Sequence, residues 1–333
     1  MSSDKNPLLI NTDSGLFCKD GGFYVDPWKP AEHAVITHAH SDHARWGMKN
    51  YLCSYESRDL LRFRLGDVNI QTAKYGEVIN FNGVKVSLHP AGHILGSSQV
   101  RLERNGEVWV VSGDYKLEPD KTCTPFESVK CHTFITESTF GLPIYRWQAQ
   151  EEIFKEINKW WDSNKQKNIA SIVYCYALGK AQRVLSGLDP SIGPIITHGV
   201  VENMNSVYRN SDIILPDTIY AGNVNDKKIF SGAIIVAPPS GDNVFWTRKF
   251  GPMSTSFASG WMQIRGNRRR RSVDRGFALS DHADWNSLLY TIKETGAKKI
   301  YVTHGYTHTL VKWLCESGYD AEILQTQFVG EIE

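Results

Sequence analysis

The feature that most constrains this chain is a cluster of histidine and aspartate residues directly after a short apolar run. Residues 34–38 read AVITH, and the following positions complete the string Thr-His-Ala-His-Ser-Asp-His over 37–43. An extended chain projects residues i and i+2 to the same side, so His38 and His40 can grip one ion from the end of a strand. Asp42 and His43 follow on a turn and point to a neighbouring position. This spacing predicts a metal site that suits Zn²⁺, with Mn²⁺ or Fe as alternatives.

Composition limits the class of protein without naming a function. The chain has 333 residues, 41% hydrophobic and 22% charged, with a formal net charge of +1. This length predicts one large domain or two smaller ones with a sizeable core, and this composition excludes a disordered or collagen-like chain. The near-zero net charge gives no global reason to expect nucleic acid or membrane as a partner. Any such partner must therefore be recognised by a local patch.

Targeting signals and membrane segments are not evident in the sequence. The N-terminal segment 1–15 contains only a three-residue apolar run, and no stretch approaches the roughly 18 apolar residues of a membrane helix. The six cysteines are scattered and form no C-x-x-C pair, which is typical of reduced thiols. We therefore predict a cytoplasmic protein without a membrane partner.

The pattern of strands and helices changes along the chain. Residues 84–90 and 133–138 are typical of strands, and residues 99–114 form two strand-like runs joined by Asn105-Gly106, which favours a type I′ hairpin. From residue 148, predicted helices (148–164 and 179–188) alternate with apolar strands (169–177, 194–199 and 232–239), which indicates βαβ units and a parallel sheet. We expect a first α/β part over 1–141, an inserted part over 142–260 and a return to the first part over 261–333.

The histidine cluster resembles the hallmark motif of the metallo-β-lactamase superfamily of binuclear metallohydrolases. Later motifs follow in the family's order: Ala-Gly-His over 91–93, Ser-Gly-Asp over 112–114 and Thr-His-Gly over 303–305. The resemblance implies an α/β protein with the αββα metallo-β-lactamase fold and two divalent metal ions, zinc or alternatively manganese. It implies that one ion is held by His38, His40 and His93, the second by Asp42, His43 and His304, and that Asp114 bridges both. Two adjacent cations lower the pKa of water between them and stabilise an oxyanion.

Two further motifs resemble those of the β-CASP nucleases, a branch of this superfamily. Residues 135–141 read ITESTFG and residues 279–284 read LSDHAD, with a stretch between them long enough for a β-CASP α/β subdomain. The resemblance implies that His282 contacts the scissile phosphate and protonates the leaving oxygen, and that Glu137 orients it. The expected catalytic residues are Asp42, Glu137 and His282.

An arginine run offers the local basic patch that the net charge conceals. Residues 265–275 contain six arginines in eleven positions, directly before the motif that carries His282. Guanidinium groups match phosphate oxygens, so Arg268, Arg269, Arg270 and Arg271 are candidate contacts to a nucleic-acid backbone. The alternative is an ordinary solvated loop.

Several segments look more narrowly like the bacterial ligase-associated DNA exonucleases. These are residues 24–28 (YVDPW), Arg265-Gly266 and residues 273–285 (VDRGFALSDHADW). The resemblance implies a DNA exonuclease active in DNA repair, with a ligase and helicase repair set as partners and, weakly, 5′→3′ polarity.

One position favours a different substrate, and two other classes remain open. RNA-directed β-CASP enzymes carry histidine where His304 stands, whereas DNA-directed enzymes of the Artemis type usually carry valine, so an RNA-processing exo- or endonuclease is the alternative. A small-molecule thioester or lactam hydrolase is the alternative from another class of enzyme, and the large insert, Glu137 and His282 speak against it. A non-catalytic nucleic-acid-binding module is disfavoured by the complete set of ligand positions.

Overall fold

The computed structural model describes residues 7–270 and 272–328, without the side chains at positions 267, 268 and 270. The strands in this part of the chain are β1 Ile10–Thr12, β2 Gly15–Cys18, β3 Phe23–Val25, β4 His33–Val35, β5 Asn50–Ser54, β6 Ile70–Ala73, β7 Val78–Phe81, β8 Val84–Pro90, β9 Ser98–Arg104, β10 Glu107–Val111, β11 Thr133–Ser138, β12 Ala170–Tyr174, β13 Ile195–Thr197, β14 Ile219–Tyr220, β15 Ile234–Ala237, β16 Met253–Ala258, β17 Arg275–Phe277, β18 Lys299–Gly305 and β19 Asp320–Ile323. The α-helices are α1 Arg58–Leu65, α2 Gln150–Lys165, α3 Lys180–Ser186, α4 Gly199–Asn210, α5 Val244–Thr247, α6 Arg265–Arg270, α7 Trp285–Thr295 and α8 Thr307–Glu316.

Backbone contacts divide the chain into two compact units. Unit 1 comprises Met1–Pro119, Cys123–Ile144 and His282–Glu333, and unit 2 comprises Asp120–Thr122 and Tyr145–Asp281. The second boundary differs from the return expected at residue 261. The reason is that β17 pairs in parallel with β16, with Ser256 opposite Arg275, so the sheet of unit 2 continues to Phe277.

Unit 1 is built on two sheets that share one core. The first has the strand order β1-β2-β3-β4-β5-β6, and the second has the order β19-β18-β11-β10-β9-β8-β7. Buried side chains of both sheets form a single apolar cluster, with Val35 and Leu52 from the first sheet and Val86 and Leu102 from the second. Because burial of apolar area is the main stabilising contribution, this cluster fixes the two sheets together.

The second sheet of unit 1 is covered on both faces. Successive residues of a strand point to opposite faces, so Val110 and Val111 of β10 enter different cores. Val110 packs with Phe134 of β11, Leu288 of α7 and Leu310 of α8, on the face opposite the first sheet. Burial on both faces explains the consecutive apolar residues Trp109, Val110 and Val111 of β10.

Unit 2 is an α/β unit around a parallel sheet. Its strand order is β14-β13-β15-β12-β16-β17, and every neighbouring pair in this sheet is parallel. Helix α2 buries Ile153, Ile157 and Trp161 along one face, as its apolar spacing predicts. The three sheets and their helices form a mixed α/β architecture, which is compatible with the metallo-β-lactamase fold and α/β insert that the motifs imply.

Two local predictions can be compared with the structure: a hairpin that is confirmed and a strand that ends earlier than expected. The Asn105-Gly106 hairpin is confirmed: both residues have positive φ (51° and 79°), as a type I′ turn requires, and they join β9 to β10. The strand expected over 34–38 ends at Val35, because the backbone N–H of Thr37 donates to the side chain of Asp26 instead of to a neighbouring strand. The histidine motif over 37–43 therefore follows the strand and lies outside the sheet.

A search of the described residues for membrane-spanning segments finds no helix with both the length and the apolar character to cross a bilayer.

The shared core of unit 1 gives a stability prediction. Leu102 is fully buried between the two sheets, so we expect Leu102→Ala to lower the free energy of unfolding by about 2–5 kcal/mol, through lost apolar contact and a residual cavity. Val78→Ala is the matched control on the same sheet, since Val78 is 57% exposed, and it should change stability by no more than about 0.5 kcal/mol. Urea denaturation followed by tryptophan fluorescence measures both, and equal effects would contradict the assigned core.

Candidate metal centre

Four side chains that the sequence analysis singled out converge on one point in unit 1. The Nδ1 atom of His40 lies 3.2 Å from His38 Nε2 and 3.1 Å from His93 Nε2. Asp114 Oδ2 lies 3.5 Å from His38 Nε2 and 3.8 Å from His93 Nε2. One ligand atom from each of the four residues falls within 4.8 Å of the others.

These separations test whether a metal ion fits the group. Four ligands at about 2.0–2.1 Å from a tetrahedral zinc ion lie about 3.4 Å from one another. The nitrogen and oxygen atoms of His38, His40, His93 and Asp114 already stand at that spacing. Three imidazoles and a carboxylate are also the donor set that Zn²⁺ accepts. The residues therefore fit a divalent ion at this position.

His93 is positioned by the turn after β8. Its backbone N–H donates to Ser97 Oγ at 3.0 Å, which closes the turn over the imidazole. Gly92 precedes it with φ of +71°, and a Cβ at this position would collide with the carbonyl oxygen of Lys116. Only glycine fits this backbone, so the Ala-Gly-His motif fixes the direction from which His93 enters the site.

Asp114 follows β10 through a similarly restricted glycine. Gly113 has φ of +57°, and a Cβ there would collide with the side chain of Thr37. The close approach of these two segments brings Asp114 against the histidine cluster, where it is 3% exposed. Its position between two groups of histidines is therefore set by the packing of strand ends.

A second group of ligand atoms surrounds the other side of Asp114. His304 Nε2 lies 3.2 Å from Asp114 Oδ1, and His43 Nε2 lies 3.7 Å from both Asp114 Oδ2 and Asp42 Oδ2. Among the described residues, His43 Nε2, His304 Nε2 and Asp114 Oδ1 are buried without a hydrogen-bond partner. A buried polar atom without a hydrogen bond costs about 1–3 kcal/mol, so three such atoms in one place fit a site for a bound cation. A second divalent ion would satisfy all three.

The protonation of the second group follows from its surroundings. Burial alone would lower the pKa of His43, but the carboxylates of Asp42, Asp114 and Asp26 outweigh it and raise that pKa to about 10. Burial likewise disfavours the ionised form of Asp114, yet His43, His282 and His304 hold its pKa well below the usual range. The site thus presents ionised carboxylates and favours positive charge at its centre.

Asp26 forms hydrogen bonds with two residues of the histidine motif, Thr37 and His43. The sequence analysis did not assign Asp26 a role. Its Oδ2 accepts from His43 Nδ1 at 2.7 Å and from the Thr37 hydroxyl at 2.5 Å, while its Oδ1 accepts from the Thr37 backbone N–H at 2.8 Å. Because Nδ1 faces Asp26, Nε2 is the nitrogen of His43 that faces the second group and would bind a metal ion there once its proton is displaced. A carboxylate that orients a metal-ligating imidazole in this way raises its basicity.

A signal for Asp26 was present in the sequence. It follows β3, which pairs in parallel with β4, so both strands end at the same edge, beside the histidine cluster. Asp26 belongs to the YVDPW segment, which we used above only as evidence of a resemblance to the ligase-associated exonucleases.

Phe328 is a second residue that the sequence analysis missed. Its ring stacks on the imidazole of His43, with centroids 4.4 Å apart and planes within 8° of each other. The ring of Trp28 also contacts Phe328 edge-on, with centroids 5.8 Å apart. No local pattern predicts the contact between His43 and Phe328, because 285 positions separate the two residues in the chain.

The two residues expected to handle the proton also meet. His282 Nδ1 donates to Glu137 Oε2 at 2.9 Å, and Glu137 Oε1 accepts from the backbone N–H of Tyr115 at 2.8 Å. Both side chains are at most 1% exposed. The His282 ring lies 4.7 Å from that of His93, beside the first ligand group. The structure thus brings Glu137 and His282 together next to the proposed metal ligands.

The arginine run is described only in part. Helix α6 spans Arg265–Arg270 in unit 2, and Arg269 is exposed on it. Arg271 lies outside the described residues, as do the side chains of Arg268 and Arg270. Phosphate binding by these four arginines stays a prediction.

Comparison with known proteins gives relatives but no matching family model. The chain is 28% identical to a protein named "Probable DNA ligase" from Opitutus terrae, over 95% of this chain and 31% of the relative. It is 27% identical to "Endoribonuclease ysh1" from Aspergillus fumigatus, over 52% of this chain and 20% of the relative. It is 24% identical to an "RNase J-like protein" from Methanocaldococcus jannaschii, over 60% of this chain and 56% of the relative.

These matches support the metallo-β-lactamase and β-CASP family that the motifs resemble. The chain spans about a third of the length of the first curated relatives it matches, between 31% and 38%. The activity, substrates and partners of those longer proteins therefore enter below only as proposals.

The contact between Asp26 and His43 gives a prediction about metal binding. In Asp26→Asn, an amide N–H facing His43 Nδ1 would move the imidazole proton to Nε2 and remove the lone pair from the second group. We expect the second equivalent of Zn²⁺ to bind about 10–100-fold more weakly and the first to bind as before. Isothermal titration calorimetry of the metal-free protein measures both steps.

Asp59→Asn is the matched control, because Asp59 is exposed on α1 and pairs only with its neighbour Arg58 among the described residues. It should bind both equivalents like the unaltered protein. Two unaltered binding steps in Asp26→Asn would contradict the role given to Asp26.

Proposed function

We propose that this chain is a metal-dependent nuclease that hydrolyses phosphodiester bonds of nucleic acid. The observation that carries the proposal is the juxtaposition of the four-residue group His38, His40, His93 and Asp114, the His43 and His304 nitrogens around the same Asp114, and the His282–Glu137 pair. Ligand groups that share Asp114 suit a pair of divalent ions, which stabilise the charge of a phosphoryl transition state. A positioned histidine beside them suits protonation of a leaving oxygen.

The proposed ligands follow the two groups. His38, His40, His93 and Asp114 would hold one ion, and Asp42, His43, His304 and the shared Asp114 would hold the other. When bound, the ions would supply the Lewis acidity that activates water near neutral pH. Zinc suits the imidazole-rich donor set, and manganese is the alternative.

We assign protonation of the leaving oxygen to two residues of this chain, His282 and Glu137. Glu137 accepts the Nδ1 proton of His282, which fixes the tautomer and leaves Nε2 to exchange a proton with the substrate. The backbone N–H of Tyr115 holds the other oxygen of Glu137, so the carboxylate keeps one orientation. Removal of either member of the pair should therefore slow proton transfer without disturbing the metal ligands.

RNA is the substrate that the relatives favour. Two of them carry the names "Endoribonuclease ysh1" and "RNase J-like protein", and the histidine at position 304 is the residue that RNA-directed members of the resembled family carry. The alternative of the sequence analysis, an RNA-processing nuclease, is therefore better supported than its main prediction of a DNA repair exonuclease.

DNA remains the second candidate because of one specific match. The relative that aligns with 95% of this chain is named "Probable DNA ligase". A chain that resembles part of such a protein would act on DNA ends beside a ligase, as the ligase-associated branch of the family implies. Under this candidate the partners are DNA with free ends and a ligase and helicase repair set.

Cleavage of labelled strands separates the candidates. The metal-loaded protein is incubated with single-stranded RNA and DNA of one sequence, each labelled at the 5′ or the 3′ end. We expect cleavage of RNA to exceed that of DNA, with the ladder of products giving polarity. A strong preference for DNA would instead support the ligase-associated candidate, and hydrolysis of a thioester with no cleavage of either strand would contradict the nuclease proposal.

His282→Ala tests the proposed acid. We expect kcat to fall about 10²–10⁴-fold, because the proposed proton donor is lost, while two metal equivalents remain bound to the seven proposed ligands. His308→Ala is the matched control, since His308 is exposed on α8, and it should retain full activity. Unchanged kcat in His282→Ala would exclude it as the proton donor.

A further inference from the structure

The sheet of unit 2 has a topological switch at its carboxyl edge. All its strand pairs are parallel, so every strand ends at this edge. From β13 the chain continues to β14 on one side, whereas from the adjacent β15 it continues to β16 on the other side. Connections that leave neighbouring strands in opposite directions open a crevice, which is where parallel α/β sheets bind ligands.

Aromatic rings line this switch point. His198 follows β13, caps helix α4 by accepting from the backbone N–H of Val200, and lies 4.9 Å from the ring of Trp246 in the connection after β15. Tyr220, at the end of β14, packs its ring against Gly199 and is 42% exposed. The rings of His198 and Trp246 therefore meet at the carboxyl edge of the sheet, and Tyr220 lies at the same edge, beside Gly199.

Phe245 extends the aromatic surface into solvent. It precedes Trp246 on the short helix α5 and is 97% exposed. Trp246 itself is held from below by Phe250, with ring centroids 4.7 Å apart. With its neighbour Val244, which is 77% exposed, Phe245 forms a contiguous apolar patch of the kind that marks an interaction site.

Basic side chains flank the rings. Lys227 and Lys228 lie exposed on the 3₁₀ turn Lys227–Phe230, and Arg248 lies exposed on the turn Arg248–Phe250. The two turns pack through Phe230 and Phe250, whose ring centroids are 4.8 Å apart. The two turns that carry the three cations are therefore neighbours beneath Trp246, which contacts Phe250.

The charge of this segment differs from that of the whole chain. Residues 220–250 contain four basic and two acidic residues, although the chain as a whole is nearly neutral. Both acids have internal partners: Asp226 accepts from the backbone N–H of Lys228, and Asp242 accepts from the hydroxyl of Tyr174. The segment therefore keeps a net positive charge of two, with Lys227, Lys228 and Arg248 exposed.

We propose that this surface is a stacking platform for single-stranded nucleic acid. The platform comprises His198, Tyr220, Phe245 and Trp246, with Lys227, Lys228 and Arg248 as phosphate contacts. Unpaired bases stack on such rings, whereas a duplex hides the faces of its bases. The proposal rests on the nucleic-acid substrate proposed above and assigns unit 2 a strand-binding role.

Binding measurements in a cleavage-deficient background test the platform. Metal-loaded His282→Ala protein is titrated into fluorescein-labelled single-stranded RNA and DNA of 20 nucleotides and followed by anisotropy. We expect Phe245→Ala to raise Kd roughly 5–100-fold, the loss of one stacked base. The matched control is Phe63→Ala, since Phe63 is 50% exposed on α1 of unit 1, and it should leave Kd unchanged.

The lysines are tested by the salt dependence of binding. Lys227→Ala combined with Lys228→Ala should reduce the slope of log K against log salt by about 0.7 for each phosphate contact removed. Lys159→Ala combined with Lys167→Ala removes the same charge from exposed positions elsewhere in unit 2 and should leave the slope unchanged. Equal slopes in the two double variants would overturn the assignment of phosphate contacts.

Remaining outcomes separate failure of the platform from failure of the proposed function. Normal cleavage by the unaltered protein together with unchanged Kd in Phe245→Ala would overturn the platform alone. A change of oligomeric state in Phe245→Ala without a change in Kd would mean that a second copy of the chain occupies the surface, which also overturns it. Neither cleavage nor strand binding by the unaltered protein would overturn both proposals.

Discussion

The buried carboxylate of Asp114 is the group on which the rest of the candidate site depends. Imidazole nitrogens of His38, His43, His93 and His304 lie between 3.2 and 3.8 Å from its two oxygens. Burial alone would favour the neutral acid, yet the surrounding histidines hold the pKa of Asp114 well below its usual range. Among the described residues, His43 Nε2 and His304 Nε2 have no hydrogen-bond partner. A site that keeps an ionised carboxylate among such converging nitrogens is suited to cations.

The fold of unit 1 supplies this arrangement by bringing the ends of strands together. Parallel pairing of β3 with β4 places Asp26 behind His43, and parallel pairing of β11 with β18 places Glu137 and His304 at one edge of the second sheet. Each functional side chain therefore stands on or just after a strand whose other residues are fixed in the core. Rigid support of this kind holds ligands in place without the ion having to order them.

Much of this could be predicted from the sequence, because short motifs encode local direction. The spacing of His38 and His40, and the glycines before His93 and Asp114, fix orientations within a few residues. The sequence did not predict the role of Asp26 or the stacking of Phe328 on His43, since those contacts depend on the pairing of distant segments. It also placed the return from the insert before β17, because a three-residue strand carries little periodicity.

The substrate was the least predictable property for a related physical reason. Recognition of RNA or DNA would depend on surfaces built from several loops, such as the platform we propose around the turns 227–230 and 248–250, and not on one motif. Net charge is a poor guide here, since the basic residues of 220–250 are balanced elsewhere in the chain. The sequence alone does not place His198, Tyr220 and Trp246 at one edge of the unit 2 sheet, because that placement depends on the strand order.

The central claim is that His38, His40, His93, Asp114 and their neighbours Asp42, His43 and His304 hold two divalent ions. A crystal structure of the zinc-loaded protein, with anomalous data collected on both sides of the zinc absorption edge, tests it most directly. The account predicts two anomalous peaks in each chain, one inside each ligand group, with Asp114 in contact with both. A single peak, or peaks away from these residues, would contradict it.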